Sequence, residues 1–370
     1  MLYQTSNPHG GDLYGRTVDL DFSVNTNPLG VPLPVVRAVE RSAQFLCQYP
    51  DPRCRELTAA LASYEAVGEE CVLCGCGAAE LIYSYCGVIR PNCALMAAPT
   101  FSEYASALEA AGSRMTYYRL EAAENFALTD GFLRLLEQTD CQAVFLCNPN
   151  NPTGRLIPPA LLERIFEICR KRKIRLFVDE CFLELSDGGR EASLAGRLLE
   201  YPGLFLLKAF TKSYGMAGLR LGYCLSGDRA LLAEMSRRGQ PWNVSLPAQA
   251  AGVAALRETA FLEEARELIA RERPRLAAEL KKLGFRVCPS QANYLLFYSR
   301  TELCAPLLER GVLIRNCSNY AGLEAGWYRA AVRKPEENRR LLEVLEEILA
   351  QTADGKNADS YGGAPWQRIS

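Results

Sequence analysis

The chain has very little histidine: His9 is the single one among 370 residues. Proton transfer in an active site therefore falls to lysine, tyrosine or a carboxylate rather than to a central histidine. The chain also has little net charge, because 42 lysines and arginines face 43 aspartates and glutamates. This balance gives no electrostatic reason to expect nucleic acid or an anionic membrane surface as a partner.

Long hydrophobic runs are missing as well. No stretch approaches the roughly 18 apolar residues of a membrane-spanning helix, and residues 1–15 lack the basic and apolar regions of a secretory signal. Fifteen cysteines without such a signal indicate reduced thiols in a cytoplasmic protein, not a disulfide framework. Cys71, Cys74 and Cys76 are the densest group, but no histidine or second cluster completes a metal site. We therefore interpret them as a strand entering a glycine-rich turn.

Short apolar runs alternate with helical patterns, such as 159–173, from about residue 70 to 225. This alternation predicts an α/β fold with a mostly parallel central sheet, helices on both faces, and functional residues at the carboxyl ends of strands. The clearest strand candidates are 93–99, 142–149, 174–180, 204–210 and 218–227.

The pattern changes after Trp242. Residues 247–284 have an almost continuous helical pattern, and two strand candidates and a terminal helix follow, at 292–298, 311–316 and 334–351. These elements predict a second, smaller α/β domain. We expect four regions: an N-terminal segment joining the small domain, a large domain, the small domain and a disordered polar tail. Their predicted limits are 1–45, 46–255, 256–351 and 352–370.

Four polar residues follow or end successive strand candidates. Asn151 lies in NPNNPTG, Asp179 ends IRLFVD, Lys212 follows LFLLKAF, and Arg220 lies eight residues further on. Each alone has an ordinary explanation as a turn, a helix cap or a surface charge. As an ordered set they meet the needs of one cofactor, pyridoxal-5′-phosphate (PLP).

PLP needs a lysine amine for a Schiff base, which indicates Lys212 as both the attachment site and the catalytic proton carrier. It also needs a carboxylate to keep its ring nitrogen protonated, and Asp179 is the candidate. Asn151 is a candidate donor to the ring's phenolic oxygen. Either Phe101 or Tyr104 could cover one face of the ring.

The phosphate of PLP needs fixed N–H donors and a guanidinium group. The turn GCGAAE, with Gly77, Ala78 and Ala79 before a helical pattern, matches the first need, and Arg220 the second. Ala209, three residues before Lys212, has no hydroxyl to offer the phosphate, and we expect the neighbouring Thr211 to compensate. Phe182 likewise has no hydroxyl, so Asn151 would contact the ring oxygen more nearly alone.

On these residues the chain resembles fold-type I PLP enzymes of the aminotransferase class I/II superfamily over about residues 7–350. Within that superfamily it is similar to histidinol-phosphate aminotransferases and, more closely, to L-threonine-O-3-phosphate decarboxylases. The discriminating segments are HGG at 9–11, PWNV at 241–244 and IRNCSNYAGL at 314–323.

The resemblance implies a homodimer with shared active sites, in which Tyr49 reaches the cofactor phosphate of a neighbouring subunit. It implies that Arg329 holds the substrate carboxylate. It also implies that Arg315, with His9 and Asn25 nearby, lines the end of the site that takes the substrate phosphate. Two arginines suit a small phosphorylated amino acid, which carries two anionic groups.

The resemblance favours decarboxylation of L-threonine O-3-phosphate to (R)-1-amino-2-propanol O-2-phosphate for cobalamin biosynthesis, with L-serine O-phosphate as a second substrate. The residues alone leave the reaction open, because the same groups serve transamination if the substrate is oriented differently. Two alternatives remain: a histidinol-phosphate aminotransferase, and a PLP-fold regulatory protein that binds a ligand without turnover.

Overall fold

A computed structural model of the protein describes residues 9–353, so residues 1–8 and most of the predicted tail, from 354 to 370, lie outside the described part. The strands are β1 (Leu20–Asp21), β2 (Val72–Gly75), β3 (Cys93–Ala98), β4 (Arg114–Arg119), β5 (Ala143–Cys147), β6 (Arg175–Asp179), β7 (Leu204–Ala209), β8 (Gly222–Ser226), β9 (Arg286–Val287), β10 (Tyr294–Tyr298), β11 (Val312–Leu313), β12 (Arg315–Asn316) and β13 (Trp327–Ala331). The helices are α1 (Leu33–Ser42), α2 (Arg55–Glu65), α3 (Ala78–Ile89), α4 (Glu103–Ala110), α5 (Asp130–Gln138), α6 (Pro159–Arg172), α7 (Phe210–Ser213), α8 (Arg229–Arg238), α9 (Leu246–Ala255), α10 (Thr259–Lys282), α11 (Cys304–Leu308) and α12 (Pro335–Ala353).

The central sheet has seven strands in the order β2-β8-β7-β6-β5-β3-β4, and only β8 runs against its neighbours. Its inner strands are mostly apolar because both faces of the sheet are covered. In β5, Val144 and Leu146 belong to one hydrophobic cluster, whereas Phe145 and Cys147 belong to another. Successive side chains of a strand point to opposite faces, so these clusters lie on the two sides of the sheet. The predicted mostly parallel α/β fold is confirmed.

The direction of the strands determines where polar residues collect. Strands β2, β3, β5, β6 and β7 all end at the same edge of the sheet. Because β8 is antiparallel, it begins at that edge. Residues that follow the other strands and residues that precede β8 therefore meet there.

The C-terminal part forms a four-stranded antiparallel sheet in the order β12-β13-β10-β9. Strand β1, from the N-terminal segment, pairs in parallel with β11. Phe22 lies in the hydrophobic cluster of this part, together with residues of α10 and α12. The domain limits stay predictions. Among the described residues, no helix is long and apolar enough to span a membrane.

Several boundaries differ from those expected. The strand predicted over 218–227 begins only at Gly222, because Arg220 has a φ of 56°, which an extended strand does not allow. The strand predicted over 311–316 is interrupted at Ile314, and the long helical pattern breaks between Ala255 and Thr259. The edge strand β4 was not predicted, since none of its residues is fully buried and its sequence lacks a clear apolar alternation.

Candidate active site

A cleft of about 900 Å³, including its open mouth, lies at the edge where the parallel strands end. Twelve of the fourteen predicted site residues line it: His9, Asn25, Ala78, Ala79, Phe101, Asn151, Asp179, Thr211, Lys212, Arg220, Arg315 and Arg329. The lining comes from both the central sheet and the C-terminal sheet, so the cleft lies between the two parts of the chain.

Lys212 lies in α7, the single turn of helix that directly follows β7. Burial lowers the pKa of Lys212 to about 8, and the positive charges of Arg329 and Arg220 act in the same direction. Its Nζ atom is 5.4 Å from the centre of the Phe182 ring. A pKa near 8 leaves roughly a tenth of the amines neutral at pH 7, about 300 times more than for an ordinary lysine. Lys212 therefore has the properties of a nucleophile and proton carrier.

Asp179 is the last residue of β6 and is buried in the wall of the cleft. The Tyr104 hydroxyl donates to its Oδ2 atom at 2.5 Å, and the Cys181 N–H donates to Oδ1 at 2.9 Å. Burial raises the pKa of Asp179, whereas these donors and the nearby Lys212 charge oppose the rise. The carboxylate is thus fixed in orientation, as a partner for a buried cation must be.

Tyr104 has a different place from the one suggested by the sequence. The Tyr104 ring is fully buried and its hydroxyl donates to Asp179, so Tyr104 orients the Asp179 carboxylate. Phe101 lines the cleft and meets the Tyr104 ring edge-on, with ring centres 5.6 Å apart. Of the two aromatic candidates, Phe101 is the one positioned to cover a bound ring.

The turn before α3 forms a cradle together with Arg220. Gly77 has a φ of 82°, and a Cβ atom there would lie 2.5 Å from Arg220 Nη2. Only glycine fits this backbone and this close approach. Helix α3 begins at Ala78, so its free N–H groups and positive end point out of the turn. N–H donors and a guanidinium at one place suit a phosphate group.

Arg315 and Arg329 enter the cleft from neighbouring strands of the C-terminal sheet. Arg315 Nη2 donates to Asn319 Oδ1 at 2.7 Å, and Arg329 Nη2 donates to the Ser23 carbonyl at 2.8 Å. Arg329 Nη1 also donates to Asn151 Oδ1. Both guanidinium groups are therefore held by fixed neutral oxygens while their charge stays available to an anion.

Asn151 joins the two sheets at the centre of the cleft. Its Oδ1 atom accepts from Arg329 and, at 3.3 Å, from the Tyr320 hydroxyl. With the oxygen engaged, the amide nitrogen is the group through which Asn151 can donate to a ligand. The sequence did not indicate Tyr320 as a site residue, although it lies within the IRNCSNYAGL segment that carried the resemblance.

The two N-terminal candidates differ in their surroundings. Asn25 is 1% exposed, and neither polar atom of its amide has a hydrogen-bond partner. A buried amide left unpaired costs about 1–3 kcal/mol, so this group indicates a ligand in the cleft. His9 Nε2 lies 2.8 Å from Glu103 Oε1, and this contact accounts for the position of His9 without a ligand.

Tyr49 and Gly77 are the predicted site residues outside the cleft lining. Gly77 lies directly behind it, against Arg220. Tyr49 is 78% exposed and stacks on the Trp242 ring, with centres 4.6 Å apart. Its contact with a neighbouring subunit stays a prediction. Within residues 9–353 no group of three or more histidines, cysteines, aspartates or glutamates is arranged to hold a metal ion.

Comparison with known proteins assigns the family. A family model described as aminotransferase class I and II matches residues 17–345. The threonine-phosphate decarboxylase of Salmonella typhimurium is 36% identical and aligns over 93% of this chain and 97% of its own. The histidinol-phosphate aminotransferase of Methanothermobacter thermautotrophicus is 32% identical over 91% of each chain. The crystal structure of the histidinol-phosphate aminotransferase from Clostridium acetobutylicum has a TM-score of 0.83 and 28% identity, covering 90% of this chain and 99% of that one.

The chain belongs to the aminotransferase class I and II family. This confirms the resemblance inferred from the sequence, and PLP is the cofactor of that family. The residues present fit this cofactor. Lys212 would bind it covalently, Asp179 would pair with its ring nitrogen, and the cradle of Gly77 and Arg220 would hold its phosphate.

Proposed function

We propose that this protein is a PLP-dependent decarboxylase of L-threonine O-3-phosphate. The observation that carries the proposal is the pair of arginines in the cleft. Arg315 and Arg329 offer two fixed guanidinium groups beside Lys212, and the substrate has two anionic groups on one small carbon skeleton. The 36% identity to the threonine-phosphate decarboxylase of Salmonella typhimurium, over nearly the whole chain, supports the same assignment.

The chain's own residues account for binding and proton transfer. When bound, PLP supplies an electron-withdrawing ring that weakens the bonds at the substrate α-carbon. Asp179 would hold negative charge beside the ring nitrogen of the bound cofactor. Arg329 binds the carboxylate and Arg315 the phosphate, so the two together orient the substrate around its α-carbon. After CO2 leaves, Lys212 Nζ delivers a proton to that carbon.

The product would be (R)-1-amino-2-propanol O-2-phosphate, the aminopropanol unit used in cobalamin biosynthesis. L-serine O-phosphate, which would yield ethanolamine phosphate, differs from the main substrate by one methyl group. A pocket distinguishes a single methyl group by only about 1–3 kcal/mol. We therefore propose that serine phosphate is a slower second substrate.

The proposed assembly is a homodimer with shared active sites. Exposed apolar side chains are concentrated in one stretch near Tyr49, which supports a covered surface there. They are Val31, Leu33, Val36, Phe45, Leu46 and Tyr49. We also propose a cytoplasmic location, because all fifteen cysteines are free thiols and such a set persists in a reducing compartment.

A histidinol-phosphate aminotransferase is the second candidate, favoured by relatives such as that of Methanothermobacter thermautotrophicus at 32% identity. The two candidates differ in what they release. A decarboxylase releases CO2 and needs no amino acceptor, whereas an aminotransferase requires a 2-oxo acid such as 2-oxoglutarate. A regulatory protein with this fold would bind PLP and turn over neither substrate.

The test is a CO2 assay of the pure protein with PLP and L-threonine O-3-phosphate, run beside L-serine O-phosphate and L-histidinol phosphate. We expect CO2 from threonine phosphate without a 2-oxo acid. The Lys212→Ala variant should lose both turnover and the visible absorbance of covalently bound cofactor. Absence of CO2, together with 2-oxoglutarate-dependent consumption of histidinol phosphate, would refute the proposal.

A further inference from the structure

Glu80 lies at the third position of α3, one residue beyond the turn that would hold the cofactor phosphate. Its carboxylate turns back over the start of the helix and accepts a hydrogen bond from the Cys76 N–H. A carboxylate in this position satisfies a free N–H at the helix start and interacts favourably with its positive end. Glu80, which is not among the residues that line the cleft, therefore holds the backbone of the turn.

The same carboxylate has a second partner from a distant segment. Asn243 Nδ2 donates to Glu80 Oε1 at 2.8 Å and to Oε2 at 3.0 Å. Asn243 follows Trp242, whose φ of 59° is a strained value for a large side chain. A backbone in this conformation needs support from its surroundings, and the bonds from Asn243 to Glu80 supply part of it.

Trp242 and Tyr49 form an exposed aromatic pair, stacked with ring centres 4.6 Å apart and an angle of 28° between the rings. We call these two residues the aromatic platform. Gln249 Nε2 joins the two segments behind it, since it donates to the Asp51 carbonyl and the Val244 carbonyl at 2.9 Å each. The Gln249 side chain thus links the two segments that carry the platform.

The geometry points to Glu80 as a positioning residue that couples the phosphate-binding turn to the aromatic platform. Its carboxylate bonds the turn through the Cys76 N–H and the platform segment through the Asn243 side chain. Ordering of the turn therefore restricts the platform segment, and ordering of the platform segment restricts the turn. The ligand concerned is the phosphate monoester of the cofactor. This inference rests on the proposed function, because it requires PLP to bind with its phosphate at this turn.

The test compares two ligands that differ only in the phosphate. The affinities of the cofactor-free protein for PLP and for pyridoxal are measured by titration, following the visible absorbance. We expect Glu80→Ala to weaken PLP binding about tenfold, the loss that corresponds to one charge-assisted hydrogen bond. Pyridoxal binding should stay within about twofold of wild type, because pyridoxal has no group at the turn.

Asn243→Ala isolates the link to the platform, since it leaves the bond between Glu80 and Cys76 intact. We expect it to weaken PLP binding about threefold, again without an effect on pyridoxal. Glu80→Gln keeps an acceptor for Cys76 and should recover most of the affinity. Glu69→Ala, a neighbouring surface change before β2, is the matched control and should behave as wild type.

An equal loss of PLP and pyridoxal affinity in Glu80→Ala would overturn the inference, because a general loosening of the fold affects both ligands. PLP affinity unchanged in both Glu80→Ala and Asn243→Ala would also overturn it. If Glu80→Ala does not fold, the Asn243→Ala result decides the question in the same way. Failure of the wild-type protein to bind PLP would instead refute the proposed function.

Discussion

Arg315 and Arg329 are direct partners across β12 and β13, so two guanidinium groups enter the cleft from the same face of one sheet. They are 8% and 5% exposed. Like charges placed opposite each other on a sheet are unfavourable unless they have partners of opposite charge. The bonds to Asn319, Asn151 and Ser23 orient the two groups but leave their charge uncompensated. The proposed anionic substrate would complete this arrangement.

Replacing Arg315 with glutamine should weaken binding of the substrate phosphate. We expect the KM for L-threonine O-3-phosphate to rise about 100-fold with a smaller change in kcat, because a bidentate guanidinium–phosphate contact is lost. Steady-state CO2 release measures both constants. Arg310→Gln is the matched control, since Arg310 lies on the surface of the same part of the chain and bonds Gln351. An unchanged KM in Arg315→Gln would show that Arg315 does not bind the phosphate.

The pKa of Lys212, near 8, predicts a pH dependence for covalent attachment of the cofactor. The neutral amine is the reactive form, so the attachment rate should rise as the pH passes through about 8 and then level off. After burial, the charge of Arg329 is the largest cause of the lowered pKa. Arg329→Gln should therefore move the midpoint to higher pH.

This pH profile is measured with pyridoxal and cofactor-free protein, so that the phosphate plays no part. Arg333→Gln, a change in an arginine bonded to Glu337 outside the cleft, is the control. A midpoint that stays in place or falls in Arg329→Gln would contradict the electrostatic account of Lys212.

Tyr104→Phe should make the charged form of Asp179 less stable while leaving the carboxyl group in place. The hydroxyl donates to Asp179 Oδ2 and favours its charged form, so its loss should raise the pKa of Asp179 further. We expect about a tenfold lower kcat, with the loss growing as the pH falls. Tyr83→Phe, which removes a hydroxyl bonded to Glu103, should leave kcat unchanged. If kcat of Tyr104→Phe falls by the same factor at all pH values, the cause is a change in packing and not a change in the charge of Asp179.

A buried ion pair behind the cleft should dominate the stability of the central sheet. Lys208 Nζ lies 3.0 Å from Glu65 Oε2 and 3.4 Å from Glu180 Oε2, and all three side chains are almost completely buried. Lys208→Met would leave uncompensated carboxylates, and we expect the free energy of unfolding to fall by about 3–5 kcal/mol. Denaturant unfolding of the cofactor-free protein measures it.

Lys282→Met serves as the control for this loss, because Lys282 and its partner Glu279 are exposed. Its effect should stay below about 1 kcal/mol. The double variant Lys208→Met with Glu65→Gln should recover part of the stability, since it removes one of the unpaired charges. A loss in Lys208→Met no larger than in Lys282→Met would show that the buried pair contributes little.

Much of the candidate site could be predicted because its members follow or end elements that the sequence reveals. Asp179 and Lys212 stand at the ends of apolar strands, and parallel strands bring their carboxyl ends to one edge. Arg220 was predicted from its place in the ordered set of polar residues and from the need of a phosphate group for a guanidinium. The structure supplies the physical reason: β8 is antiparallel, so the residue before it reaches the same edge.

Contacts between distant segments could not be predicted in this way. Tyr104 and Asp179 are 75 residues apart, and Glu80 and Asn243 are 163 apart. Nothing in the local pattern of either segment indicates its partner. Tyr104 was one of two candidates, with Phe101, for covering a face of the cofactor ring, whereas its hydroxyl donates to the Asp179 carboxylate.

The sequence by itself determined the fold class, the family and the residue types needed by the cofactor, because apolar periodicity and short motifs are local properties of the chain. Only the tertiary structure decided which groups are paired and which keep their charge free. It lowers the pKa of Lys212 to about 8 and leaves the Asn25 amide unpartnered. Both properties depend on burial and on charged groups from distant segments of the chain, which come together only when the protein folds.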